Sequence, residues 1–172
     1  MVYVAKYISP LGEVIMARDT KGLTTLAFAN QKHFIMPKRS IEEPSPLFEQ
    51  VKLWLDKYFS GQNPKIDFPL NPYGSNFQKD VWTILRTIPY GCTITYGDIS
   101  KVIARNRGVA SMSAQAIGGA VGRNPISIII PCHRVVGKNG KLTGYAGGLY
   151  RKKKLLELER VIWFCKKWIY LK

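Results

Sequence analysis

Along this chain the period of the apolar residues changes, and the change admits few architectures. In the first third, short apolar runs alternate with turn residues: Val2 to Ile8, Gly12 to Ala17 and Gly22 to Phe28. Runs of this length and composition read as antiparallel strands. From Pro46 to Phe59 the spacing becomes helical, with Leu47, Val51, Leu55 and Tyr58 on one face and Gly61 as a stop. Asn63 to Gly74 is dense in proline and turn formers, and proline pushes its preceding neighbour out of helical geometry. The domain junction is expected there, with an N-terminal domain over 1–70 and a second domain over 75–160.

Beyond the junction the pattern is mainly helical. Ser75 is positioned to cap a helix carrying Phe77, Val81, Trp82, Leu85 and Ile88, which Pro89 and Gly91 end. A helix beginning near Tyr96 to Asp98 and another over Ser113 to Val121 suggest a helix-turn-helix. Ile126 to Ile130 reads as a buried strand, and Leu149 to Val161 as the last helix, with Arg151 to Lys154 exposed. Residues 161–172 mix aromatics with lysines and read as a helical extension packed on the body, with contact at a membrane surface as the alternative. The fold class expected is α+β: a small N-terminal antiparallel-sheet domain and a mainly helical C-terminal domain.

Charge narrows the partners. A formal net charge of +15, from 26 basic and 11 acidic side chains, favours polyanions such as nucleic acid or an anionic membrane. After Asp98 the only acids are Glu157 and Glu159. No apolar run is long enough to span a bilayer and nothing at the N-terminus reads as a secretion signal, so a cytoplasmic, soluble protein is expected. Three cysteines without close pairing read as reduced thiols, and with His33 and His133 as the only histidines neither a metal nor a cofactor is expected.

The chemistry concentrates in Pro131-Cys132-His133-Arg134-Val135-Val136, where a thiol follows an apolar run. An active thiol needs a base or a positive field to supply thiolate, and His133 and Arg134 are the nearest candidates. Neighbours on a strand face opposite ways, so Cys132 and His133 can cooperate only if the chain turns there or a water bridges them. Glu157 or Glu159 would then orient the imidazole. By itself a Cys-His dipeptide is more often structural than reactive.

Around that dipeptide stand Ile128-Ile129-Ile130 and, in order, Phe77 to Trp82, Thr95 to Asp98, Ala116 to Ala120, Arg123-Asn124-Pro125, Gly144 to Gly148 and Leu155 to Glu159. In these segments, from roughly Phe77 to Arg160, the chain resembles the O6-alkylguanine-DNA alkyltransferase family, also called methylated-DNA-protein-cysteine methyltransferases. The resemblance implies direct, single-use transfer of an alkyl group from O6-alkylguanine, and from O4-alkylthymine, to Cys132. It gives His133 the role of base acting through a water, Glu159 that of orienting it, and Asn124 that of bracing the active turn. Tyr96, Pro131, Val135, Tyr145 and Ala146 would form the substrate site, with the carbonyls of Cys132 and Val135 receiving the guanine amino group. Tyr96 would also push on the phosphate beside the flipped nucleotide.

The same likeness implies a monomer that binds double-stranded DNA in its minor groove through Gln115, Ala116, Gly118, Gly119, Ala120 and Arg123. Small side chains suit a groove about 6 Å wide. Gln115 departs from the arginine found there in many members, which removes a charge and some stacking surface. The zinc-binding pattern of some relatives is missing from the N-terminal region, and Cys92 and Cys165 read as structural. Two rivals remain: a non-catalytic lesion-recognition protein, which would normally lack the cysteine, and a turnover cysteine hydrolase.

Overall fold

A computed structural model describes residues 2–160. Residues 161–172, including Cys165 and the expected helical extension, lie outside the described residues. Within the described residues two compact units emerge, the first built from 2–73 together with 125–129, the second from 74–124 and 130–160.

The first unit is built on a four-stranded sheet. Strands β1 (Val2–Ser9), β2 (Gly12–Arg18) and β3 (Leu23–Phe28) form an antiparallel meander in which Tyr7 faces Val14 and Val14 faces Phe28. A three-residue strand, β4 (Ser40–Glu42), pairs parallel to the start of β1. It is too short to leave a period in the sequence, and it makes the sheet mixed rather than wholly antiparallel. The sheet order is β3-β2-β1-β4.

Helix α1 (Pro46–Phe59) starts after Ser45 with proline in its first turn, where the missing N–H costs no bond. Its buried face is Phe48, Val51, Trp54, Leu55 and Tyr58, one residue out of step with the expected stripe at its start.

Residues 125–129 join this unit but are not a strand. Ile126 makes an isolated bridge to Leu26, the Ser127 amide donates to the Leu26 carbonyl at 2.7 Å, and Ile128 sits at φ +70°. A β-branched residue in that region is uncommon. The apolar run signalled burial correctly, since Ile126 and Ile128 are at most 2% exposed, but burial alone does not distinguish a strand from a turn.

The second unit opens with α2 (Asn76–Arg86). Ser75 and Gln78 form a capping box that satisfies two amides at its N-terminus. A two-residue strand β5 (Ile94–Thr95) leads into α3 (Tyr96–Arg107), capped by Thr95 and Asp98 and closed by Gly108 in the left-handed conformation. Helix α4 (Ala114–Gly122) follows, with Ser113 as its cap. Ser100 Oγ donates to the Met112 carbonyl at 2.8 Å and so pins the α3–α4 connection. Trp82 Nε1 donates to the Ala120 carbonyl at 2.9 Å, which fastens α4 to α2 and satisfies the buried indole.

The remaining elements carry the Cys132-His133 dipeptide. Cys132–Arg134 form a single 3-10 turn, and β6 (Val135–Val136) then pairs in parallel with β5, Ile94 facing Val135 and Thr95 facing Val136. Helix α5 (Leu149–Leu158) completes the unit, with Lys152, Leu155 and Leu156 on its buried face. Lys152 was expected among the exposed residues 151–154. It lies three and four positions before Leu155 and Leu156, and that spacing places it on their face of the helix.

Candidate active site

Cys132 enters the site at the start of the 3-10 turn, so it and His133 are consecutive residues of a turn rather than of a strand. It is 4% exposed and is the free cysteine of the described residues. Asn124 Nδ2 donates to Cys132 Sγ at 3.1 Å and to the Ile130 carbonyl at 2.7 Å, so one side chain holds both the sulfur and the backbone leading to it. Burial raises the thiol above its ordinary pKa, against the Asn124 contact and the field of Lys152. The resting sulfur at neutral pH is therefore a thiol, and thiolate has to be generated.

His133 is completely buried, and its Nε2 meets Glu159 Oε1 at 2.6 Å. Burial pushes its pKa below the ordinary histidine value, although Glu159 pulls the other way. A neutral ring that donates from Nε2 to a carboxylate carries its basic lone pair on Nδ1.

Glu159 is shared. Arg134 donates from Nε to Oε2 at 2.9 Å and from Nη2 to Oε1 at 3.0 Å, and its Nη1 reaches the Ile88 carbonyl at 2.6 Å. The Gly91 amide also points at Oε2, at 3.2 Å. Burial would raise the Glu159 carboxyl, but His133 and Arg134 reverse the balance and hold it well below the usual range. The carboxylate stays ionised, while Arg134 offsets part of its field and so helps to leave His133 uncharged.

The candidate site residues fall into two groups. Asn124 contacts Cys132, His133 contacts Glu159, and the two pairs are joined in the chain by the consecutive residues Cys132 and His133. Pro131 and Val135 are buried beside them in sequence, and Tyr96, Tyr145 and Ala146 are half-buried. Burial raises the Tyr96 phenol above its ordinary pKa, with the Thr143 side chain pulling the other way. On α4, Gln115, Ala116 and Gly119 are exposed, as is Arg123 at its end, while Gly118 is half-buried. Ala120 faces inward at 3% exposure, so its side chain is not on that outer face.

Three features escaped the sequence reading. Arg134 turns to Glu159 rather than supplying a field to the thiol. The Gly91 amide completes the carboxylate's contacts from a loop that periodicity marks only as a helix end. Cys92 is disulfide-bonded, contrary to the expectation of reduced thiols, because linear spacing does not reveal which sulfurs meet in space.

Comparison with known proteins agrees with this geometry. Residues 76–161 match the family model of the 6-O-methylguanine DNA methyltransferase DNA binding domain, and residues 2–72 match that of its ribonuclease-like domain. This chain belongs to the 6-O-methylguanine DNA methyltransferase family. Among relatives named methylated-DNA–protein-cysteine methyltransferase, that of Methanosarcina acetivorans is 44% identical over 158 residues, covering 92% of this chain and 98% of the relative. The Haemophilus influenzae relative is 40% identical over 161 residues, covering 93% and 87% respectively.

Solved methyltransferases show the same architecture. The Mycobacterium tuberculosis OGT in complex with DNA matches with a TM-score of 0.80 and 41% identity, covering 92% of each chain. The Methanococcus jannaschii O6-methylguanine DNA methyltransferase matches with a TM-score of 0.65 and 29% identity, covering 95% of this chain and 98% of that one. Among the described residues no helix is long and apolar enough to cross a membrane, and no cluster of three or more His, Cys, Asp or Glu side chains could hold a metal ion.

Proposed function

We propose that this protein repairs DNA by moving an alkyl group from O6 of guanine to the sulfur of Cys132, once per molecule. The observation that carries the reading is a buried thiol, gripped by Asn124 and followed directly by an imidazole paired with Glu159, in a member of this family. His133 accepts the thiol proton at Nδ1 through a water, and Glu159 stabilises the imidazolium that forms. The sulfur then attacks the alkyl carbon, an S–C bond forms, and the O6–C bond breaks. The electron pair returns to the purine, which regains its lactam form by taking up one proton, equal in number to that lost by the thiol. The thioether has no leaving group of comparable ease, so the protein is spent.

A base stacked in a duplex keeps its O6 substituent out of line with any protein sulfur, so the nucleotide must rotate out at a cost of a few kcal/mol. An alkyl group on O6 weakens pairing and lowers that cost. Tyr96, Pro131, Val135, Tyr145 and Ala146 receive the base. The outer face of α4, with Gln115, Ala116, Gly119 and Arg123, is small and polar enough to enter the minor groove. All of these residues belong to one chain, so a monomer suffices.

The retained cysteine, supported by an amide donor and a base, favours this reading over a non-catalytic lesion-recognition protein. Reaction with O6-benzylguanine followed by intact-mass and peptide analysis tests it. One benzyl group on the Cys132 peptide is expected, and tight lesion binding with no gain in mass would support the recognition protein instead.

A further inference from the structure

The loop that carries Tyr145 and Ala146 is held at both ends by consecutive residues of α5. At its start, Lys152 Nζ donates to the carbonyls of Thr143 at 3.0 Å and Gly144 at 3.1 Å, and to that of Val135 on the strand after the nucleophile at 2.5 Å. At its end, Arg151 Nη1 donates to the Gly147 carbonyl at 3.0 Å. Between these points the Gly148 amide donates to the Tyr145 carbonyl at 2.9 Å, which folds residues 145–148 into one turn.

The end held by Arg151 is the one with little else to fix it. Gly148 is the N-cap of α5 at φ +91°, and among the described residues no side-chain cap bond forms there. Gly147 and Gly148 are adjacent, and glycine leaves the backbone its widest choice of conformation. The first turn of α5 has no acidic residue. It has Arg151 instead, although a cation near the positive end of a helix dipole is electrostatically unfavourable. The bond to Gly147 gives this guanidinium a reason to stand where the dipole disfavours it.

The two anchors also differ in burial, since Lys152 is sealed in the interior and Arg151 is half-buried. The peptides between them are those of Tyr145 and Ala146, and the Tyr145 hydroxyl is buried. A shift of the Gly147 end therefore moves a ring that reaches inward and changes the space beside it.

We propose that Arg151 is a positioning residue that sets which O6 substituents the protein accepts: by holding the Gly147 carbonyl it fixes the 145–148 turn, and with it the wall formed by Tyr145 and Ala146. This inference rests on the assignment of Cys132 as the alkyl acceptor and of Tyr145 and Ala146 to its substrate site. A fixed wall keeps a methyl carbon in line with the sulfur and stops a longer chain. Releasing the Gly147 end lets the wall yield, so methyl transfer loses alignment while a butyl chain gains room.

Single-turnover transfer from O6-methylguanine and from O6-butylguanine, each in the same duplex oligonucleotide, tests the idea. Rates are compared for the wild type, for Arg151→Met, which keeps the stem without the donors, and for Arg151→Lys, which keeps one N–H within reach of the carbonyl. The methyl-to-butyl rate ratio is expected to fall about tenfold in Arg151→Met, the scale on which a pocket wall discriminates one methylene. Arg151→Lys should recover most of the wild-type ratio. Equal slowing of both substrates in Arg151→Met would mean that the side chain serves DNA affinity or stability alone, and would overturn the proposal, as would an unchanged ratio. Should Arg151→Met fail to fold, Arg151→Gln, too short to reach Gly147, decides on the same ratio. A wild type that gains no mass at Cys132 from either oligonucleotide would sink the alkyl-acceptor assignment, whereas transfer by the wild type with a constant ratio in the variants sinks only the role of Arg151.

Discussion

Asn124 Nδ2 lies 3.1 Å from Cys132 Sγ and 2.7 Å from the Ile130 carbonyl, so a single amide group sets both the nucleophile and the backbone that presents it. Asn124→Ala removes both bonds and leaves a buried carbonyl without this donor. The expected loss of stability is about 1–3 kcal/mol. Transfer of benzyl from O6-benzylguanine should slow even at temperatures where the variant is fully folded. Denaturation midpoints and single-turnover rates measured on the same preparation check this, and an unchanged rate would confine Asn124 to a structural role.

Glu159→Gln keeps the shape of the side chain but removes the charge that Arg134 and His133 face. Arg134 is then a largely buried cation without its anion, and breaking such a pair costs about 3–5 kcal/mol. The imidazolium also loses its stabiliser, so transfer should slow by about 10²-fold or more, the usual scale for general-base support. Single-turnover kinetics under stabilising conditions separate the two effects. A folded variant with wild-type rates would remove Glu159 from the proton path.

The pH dependence of stability has a definite sign. The folded His133 resists protonation, so the unfolded chain takes up a proton first, and stability falls as pH drops below about 6.5. Glu159, held below the ordinary carboxylate range, adds a second loss that begins below about 4.3. Cys132 acts at the other end: its raised pKa means that the unfolded thiol ionises first, so its contribution falls above about 8.5. Urea midpoints from about pH 2.5 to about pH 9.5 should show the acid and the alkaline declines. In Glu159→Gln the loss below about pH 4.3 should vanish, while the His133 decline below about pH 6.5 should deepen, because Glu159 favours the protonated ring.

Gln115→Arg restores a positive charge on the exposed face of α4. Duplex affinity is expected to rise several-fold, and the log-log salt slope to steepen by about 0.9 if the new side chain neutralises one phosphate. Titrations at two salt concentrations report both. No change in either would mean that position 115 faces away from the duplex.

Gly91 has φ +76°, and a Cβ there would stand 3.2 Å from the Glu159 carbonyl oxygen. Gly91→Ala should cost about 1–2 kcal/mol, the usual penalty of that backbone region for a residue with a side chain. Because the Gly91 amide also donates to Glu159, the variant should perturb transfer more than an equally destabilising change on α1. Comparing it with Leu55→Ala, matched for stability by temperature, makes that distinction.

Periodicity carried most of the helices, because α1, α2, α3 and α4 each turn a regular apolar face inward and each begins near a recognisable cap or proline. It could not carry β4, which has only three residues, or the 125–129 segment, whose isoleucines are buried without forming a ladder. At the site, the residue next to Cys132 pointed to His133, the acid-poor charge distribution left Glu157 and Glu159 as its partners, and the family resemblance selected Glu159. Arg134 was seen but given the wrong partner, since the direction of a long side chain depends on tertiary packing. Lys152 was legible in principle, because its spacing from Leu155 and Leu156 outweighs its charge, yet a run of four basic residues reads first as a solvated face.

The segment 125–129 has a consequence for how the protein could be divided. The Pro125 carbonyl and the Ser127 amide are bonded to Leu26, and its isoleucines are covered, within the first unit. A fragment cut at residue 74 would keep these five residues while discarding the strand that shelters them, leaving greasy side chains and bare backbone just ahead of Pro131. The C-terminal half is therefore not a detachable cassette.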